Sequence, residues 1–170
     1  MPISLDALRS AASRPHRMTA DRSFTEAKAK RQQTAFLSHS HEDKTLAHGL
    51  QILLNEHGWD LYIDWQDSAM PETPTMETAL KIREKIKSLD WFLFLATPNS
   101  VSSKWCPWEI GYADNAKSHN KILIIPTTDS SGIWYGNEYL KLYRRIDTAQ
   151  GGILGAFDEG KETGIHIKSL

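Results

Sequence analysis

Ala35-Phe36-Leu37-Ser38-His39-Ser40-His41-Glu42-Asp43-Lys44 changes character at its midpoint. The first three residues are apolar and read as a short buried strand that ends in small polar side chains. Ser40 and Asp43 stand three apart, the spacing of a capping box, and Glu42 and Asp43 suit the positive end of a helix. Leu46, Leu50, Leu53 and Leu54 then recur at helical intervals, and Gly58 supplies a stop. Strand, polar turn and helix in that order are the building unit of an α/β fold.

The same unit repeats outward along the chain. Residues 59–64 (WDLYID), 91–96 (WFLFLA) and 121–126 (KILIIP) read as further strands, and residues 139–146 as a weaker fifth. Ala79, Ile82, Ile86 and Leu89 mark one face of a second helix. Another helix is expected from about Pro107 to His119, after Pro98 has broken the third strand. At least two strands are apolar on both faces, which marks a parallel sheet covered by helices. Right-handed crossovers make this an open, doubly wound sheet. Ligands of such sheets bind outside the carboxyl ends of the strands, which singles out residues 38–41, 64–67, 97–100 and 105–109.

Composition bounds the function. The 170 residues carry 20 Lys and Arg against 21 Asp and Glu, a net charge of −1. That balance excludes the basic footprint of a dedicated nucleic-acid binder. Mean hydropathy is −0.46, and no apolar run approaches the ~20 residues of a spanning helix, so no membrane role is expected. A single cysteine, Cys106, precludes an intrachain disulfide and suits a reducing, cytoplasmic setting. Residues 1–33 hold seven basic and three acidic side chains, and residues 34–170 reverse the balance. The first segment therefore reads as a basic N-terminal extension, an arm or short helix packing weakly on a domain of residues 34–170.

Missing motifs narrow the choice. No Gly-rich turn follows the first strand, so the dinucleotide fingerprint and the phosphate-binding loop are both absent. The third strand ends Leu95-Ala96-Thr97, without the Asp of a phosphate-accepting receiver, and there is no G-x-S-x-G elbow.

Three clusters carry candidate chemistry. His39, His41 and Asp43 form H-x-H-x-D after a strand, but Lys44 would set an ammonium beside any cation, so no metal is assigned. Ser38 and Ser40 instead leave room for a phosphate or ribose at a helix start, against plain capping beside a solvated His pair. The connection of residues 65–75, with Pro71 and Pro74, is longer than the ~2–6 residues usual for an α/β loop. It reads equally as a functional edge or a proline-stiffened surface loop. In Trp105-Cys106-Pro107-Trp108-Glu109, Pro107 suits the first helical position. A helix reaching back to Trp105 would instead bring Trp105 and Glu109 one turn apart on one face. A carboxylate against indole surface is poorly solvated, and such a wall suits a ribose joined to a base. Spacing alone favours the plainer alternative of two core tryptophans and a first-turn glutamate.

Taken together, these segments resemble the TIR (Toll/interleukin-1 receptor) domain, in its bacterial enzymatic branch, over about residues 34–146. Residues 35–44 are similar to the family's first motif, residues 59–67 to the second strand entering its assembly loop, and residues 105–109 to its W-x-x-x-E segment. The resemblance implies a flavodoxin-like open parallel five-stranded sheet with helices on both faces. It also implies NAD+ glycohydrolase or cyclase activity, with NAD+ as substrate and no cofactor. Glu109 would be the catalytic carboxylate, Trp105 part of the pocket, Ser38, His39 and Ser40 close to the nucleotide, and Asp67 at the loop edge. A small TIR protein also resembles the signal-producing component of the Thoeris antiphage system, in which a nucleotide messenger activates a separate effector. Self-association through TIR–TIR contacts is implied as well. The alternatives are a non-catalytic TIR interaction module and another N-glycosyl-cleaving enzyme, such as a nucleoside deoxyribosyltransferase.

Overall fold

Alternation within each strand decides how the sheet is covered. The computed structural model describes residues 1–14, 32–71, 75–136 and 138–170. Its central strands are β2 (Gln33–Ser38), β3 (Trp59–Tyr62), β4 (Trp91–Ala96), β5 (Ile122–Thr128) and β7 (Arg144–Thr148). They pair in parallel in the order β3-β2-β4-β5-β7. Taken as five, this is the order 2-1-3-4-5 of flavodoxin-like sheets, whose switch point lies between the first and third strands, here β2 and β4.

Ala35, Leu37, Leu93, Leu95, Leu123 and Ile125 face one way, onto Leu46, Leu50 and Leu54 of α2 (Lys44–Asn55). Phe36, Phe92, Phe94, Ile122 and Ile124 face the other way. There they meet Ile82 and Ile86 of α3 (Met76–Ser88) and Cys106, Ile110 and Ala113 of α5 (Trp105–Ala116). Between them α4 (Pro98–Ser102) is a single short turn, closed by a capping box of Thr97 and Ser100. Helices therefore cover both faces, and the core is two apolar layers separated by the sheet.

Four further strands enlarge the five. β1 (Ile3–Ser4) pairs in parallel, and β6 (Trp134–Tyr135) antiparallel, with the end of β5. β8 (Leu154–Phe157) and β9 (Gly164–His166) add an antiparallel extension beyond β7. The fifth parallel strand starts later than the sequence suggests. Glu138–Leu142 is a 3-10 turn, and Leu140 within it and Tyr143 just after it, three apart, both reach the core.

The opening residues depart from a weakly packed arm. α1 (Leu5–Ala12) buries Leu5, Leu8 and Ala11 against the α2 layer. Burying Leu8 alone contributes about 2 kcal/mol. Gly49 of α2 permits the approach, since a Cβ there would lie 2.0 Å from the Leu8 carbonyl oxygen. The basic stretch 15–31 lies outside the described residues. Among the described residues no helix is long and apolar enough to cross a membrane.

Candidate active site

β2 delivers Ser38 to the switch point, and α5 delivers Glu109 to the same place. The helix begins at Trp105 rather than Pro107. The Ser103 hydroxyl accepts the N–H groups of Trp105 and Cys106 at 3.1 and 3.4 Å, which starts the helix two residues earlier. Pro107 then sits at the third helical position, where its missing N–H would have had no partner in the helix. The early start brings Trp105 and Glu109 one turn apart, as the second geometry considered for this segment requires. Trp105 is half-buried and packs edge-on to Trp108, with ring centres 5.4 Å apart.

Glu109 is 5% exposed. Burial pushes its carboxyl up to about 8; the Ser38 hydroxyl opposes the rise and the negative charge of Asp64 adds to it. Cys106 lies fully buried beneath, its thiol pushed up to about 12 by burial and by the charge of Glu109. Ser38 Oγ, His39 Nε2 and Glu109 Oε2 are buried with no partner at hydrogen-bond distance among the described residues, although the Ser38 hydroxyl is near enough to Glu109 to favour its charged form. A buried polar atom without a partner costs about 1–3 kcal/mol. Such groups gathered at one place make this the candidate site.

His39 and His41 approach one carboxylate from different depths. His39 Nε2 lies 3.8 Å from Asp64 Oδ1, and His41 Nε2 lies 3.9 Å from Asp64 Oδ2. The His39 ring is 3% exposed and the His41 ring 63%. Burial lowers the His39 pKa although Asp64 opposes the change. Asp64 also accepts the Trp65 N–H at 2.8 Å. Asp43 does not complete a capping box with Ser40. Its buried carboxylate accepts the Thr97 hydroxyl and Asn99 Nδ2 at 2.7 Å, tying the start of α2 to the start of α4.

The structure brings Ser38, His39 and Glu109 together at the switch point and gives two other candidates, Ser40 and Asp67, partners within the protein. Ser40 accepts the Glu42 N–H at 3.4 Å and caps the short turn before α2. Asp67 has both carboxylate oxygens engaged. One accepts the Tyr62 hydroxyl at 2.7 Å and lies 3.4 Å from Lys85 Nζ, and the other accepts the Ala69 N–H at 2.9 Å. Against partial burial, which would raise it, these donors hold Asp67 below the usual carboxylate range. Asp64, three residues earlier at the end of β3, is the acid that faces the histidines. Its signal in the sequence was its place at a strand's carboxyl end. A cavity of about 330 Å³ lined by Ile124, Trp134, Leu140 and Tyr143 lies toward β5 and takes in none of these groups.

The architecture is a doubly wound α/β fold with a buried glutamate and serine at its switch point. Residues 35–155 match the TIR domain family, and the chain belongs to that family. It is 36% identical over 135 residues to a probable 3' cyclic ADP-D-ribose synthase, ThsB', of Bacillus cereus (strain MSX-D12). The match spans 77% of this chain and 67% of that relative.

Proposed function

We propose that this chain cleaves the nicotinamide–ribose bond of NAD+ and joins the freed ribosyl carbon to a hydroxyl of the same molecule, giving a cyclic ADP-ribose. The reading is carried by Glu109, a buried carboxylate with an unpartnered oxygen beside Ser38 at the switch point of a TIR domain. The cyclic ADP-ribose synthase named in the Bacillus relative supports it.

The chemistry follows from the charges. In NAD+ the nicotinamide is a pyridinium, so it leaves neutral and takes the electron pair of the broken C–N bond. Positive charge then builds on the ribosyl carbon, as in glycoside cleavage. The Glu109 carboxylate stabilises that charge in a site of low dielectric, where it acts most strongly. A hydroxyl oxygen attacks the carbon and loses its proton. A carboxylate whose pKa stands at about 8 is basic enough to take that proton. Water in place of the internal hydroxyl gives ADP-ribose.

Trp105 forms one wall of the pocket, and Ser38 and His39 contact the nucleotide. The product serves as a messenger to a separate effector in antiphage defence, as the Thoeris resemblance implies. The active form is an assembly in which the loop after β3, with Trp65 37% exposed, meets a second copy.

The test is purified protein with NAD+ over a range of protein concentrations, with products resolved by mass and Glu109→Gln alongside. Nicotinamide release with a cyclic product, lost in Glu109→Gln, is expected, with specific activity rising with concentration. Full cleavage by a folded Glu109→Gln protein removes the assignment. Concentration-independent activity in a monomeric sample removes the assembly.

A further inference from the structure

His39 has one ring nitrogen already assigned by geometry. Nδ1 lies 3.1 Å from the Leu37 carbonyl oxygen. A carbonyl only accepts, so Nδ1 carries the proton, and in the neutral ring Nε2 is a bare acceptor. Burial favours that neutral ring. Nε2 then faces another acceptor, Asp64 Oδ1, at 3.8 Å. Two acceptors do not bond to each other. Only donors satisfy both, and Nε2 is buried without a hydrogen-bond partner among the described residues.

The 3.8 Å separation suits a pair of donors. One nitrogen donating to both acceptors at ordinary lengths of about 2.9 Å would hold its bonds at about 80°, so both bonds would bend from the line of a planar NH2 group. Two hydroxyls on neighbouring carbons avoid this, since each donates along its own bond to one acceptor. The charge of Asp64 is felt at Glu109, so this seat lies beside the proposed reaction centre.

We propose that His39 Nε2 and the Asp64 carboxylate together seat the vicinal 2′,3′-diol of the nicotinamide ribose, one hydroxyl each. This rests on the NAD+ reading and adds what positions the sugar. The diol turns the ribose so that its anomeric carbon faces Glu109. Asp64 is thereby a specificity residue, and His41, exposed on the opposite carboxylate oxygen, is not needed for the seat.

The test measures binding of carba-NAD+, which keeps the diol and cannot be cleaved, and of its 2′-deoxy and 3′-deoxy forms on the nicotinamide side. Wild type, His39→Ala and Asp64→Ala are compared. Each missing hydroxyl weakens binding to wild type by about tenfold or more. His39→Ala abolishes the penalty for one hydroxyl and Asp64→Ala the penalty for the other. Deoxy forms that bind wild type as tightly as the parent, or penalties unchanged in both variants, overturn the seat.

A second measurement needs no variant. Nitrogen-15 spectra of imidazole-labelled wild type should show His39 Nε2 unprotonated and shifted when carba-NAD+ is added, and a protonated Nε2 overturns the proposal. Wild type that cleaves NAD+ but ignores the diol loses only the seat, whereas wild type that neither binds carba-NAD+ nor cleaves NAD+ loses both readings.

Discussion

Replacing Glu109 with Gln keeps the side chain's shape and removes a carboxyl that burial lifts from 4.5 to about 8. The folded protein holds this proton between those values, where the unfolded chain has already lost it. Wild-type stability therefore falls as pH rises through that window, and the whole loss is present above the folded pKa. The shift of about 3.5 units, at about 1.4 kcal/mol per unit, sets the loss at no more than about 5 kcal/mol. That is a large share of the 5–15 kcal/mol that holds a typical domain together. Glu109→Gln has no such group. Urea denaturation followed by tryptophan fluorescence should give similar stabilities for the two proteins near pH 4. Near pH 9 the variant should be the more stable by several kcal/mol. The rate moves the opposite way, because catalysis needs the ionised form. For wild type, kcat/KM for NAD+ should rise with an apparent pKa of about 8. The profile of kcat should lie lower, because a bound pyridinium favours the carboxylate. Stability curves that stay parallel from pH 4 to pH 9, with a flat kcat/KM, would refute the reasoning.

Three other outcomes follow from the packing. Gly49→Ala places a methyl 2.0 Å from the Leu8 carbonyl oxygen, so α1 must shift; a loss of about 2–4 kcal/mol in a denaturant titration is expected, and a neutral result would show that α1 docks elsewhere in solution. Asp67→Asn should lower stability by about 1–2 kcal/mol and change the KM for NAD+ less than threefold; a large rise in KM at unchanged melting temperature would return Asp67 to substrate contact. Cys106, fully buried with its thiol pushed up to about 12, should resist thiol reagents at pH 8 until the protein unfolds; labelling of the native protein would contradict that burial.

How much of this was legible depended on whether local pattern or distant partners decided each segment. The apolar runs at residues 91–96 and 122–125 are buried on both faces, so hydrophobic continuity alone located β4 and β5. The fifth strand slipped because Leu140 and Tyr143, three apart, reach one core layer from a 3-10 turn, where alternation would set them on opposite faces, and pairing with the neighbouring strand begins only at Arg144. The start of α5 turned on Ser103, a residue outside the W-x-x-x-E segment, whose hydroxyl takes the first N–H groups. Choosing between Asp64 and Asp67 needed the third dimension. Both follow β3, yet one faces the histidines while the other is consumed by Tyr62, Ala69 and Lys85. The docking of α1 was illegible because Leu5, Leu8 and Ala11 make a stripe too short to stand above its charged neighbours.

The order in which the chain can be completed follows from one contact at the base of the sheet. The Trp59 indole donates to the Ile167 carbonyl oxygen at 3.1 Å, a buried bond across 108 positions, between the edge strand β3 and the turn that follows β9. Ile3 of β1 likewise pairs with Thr127. Contacts of such sequence separation raise the contact order and slow folding, because the loop entropy is lost before the contact forms. During synthesis the layer containing Leu8, Leu50 and Trp59 stays open on one side until residue 167 is free of the ribosome. The edge strand that leads toward Asp64 is thus locked from its far end, by a turn more than a hundred residues away.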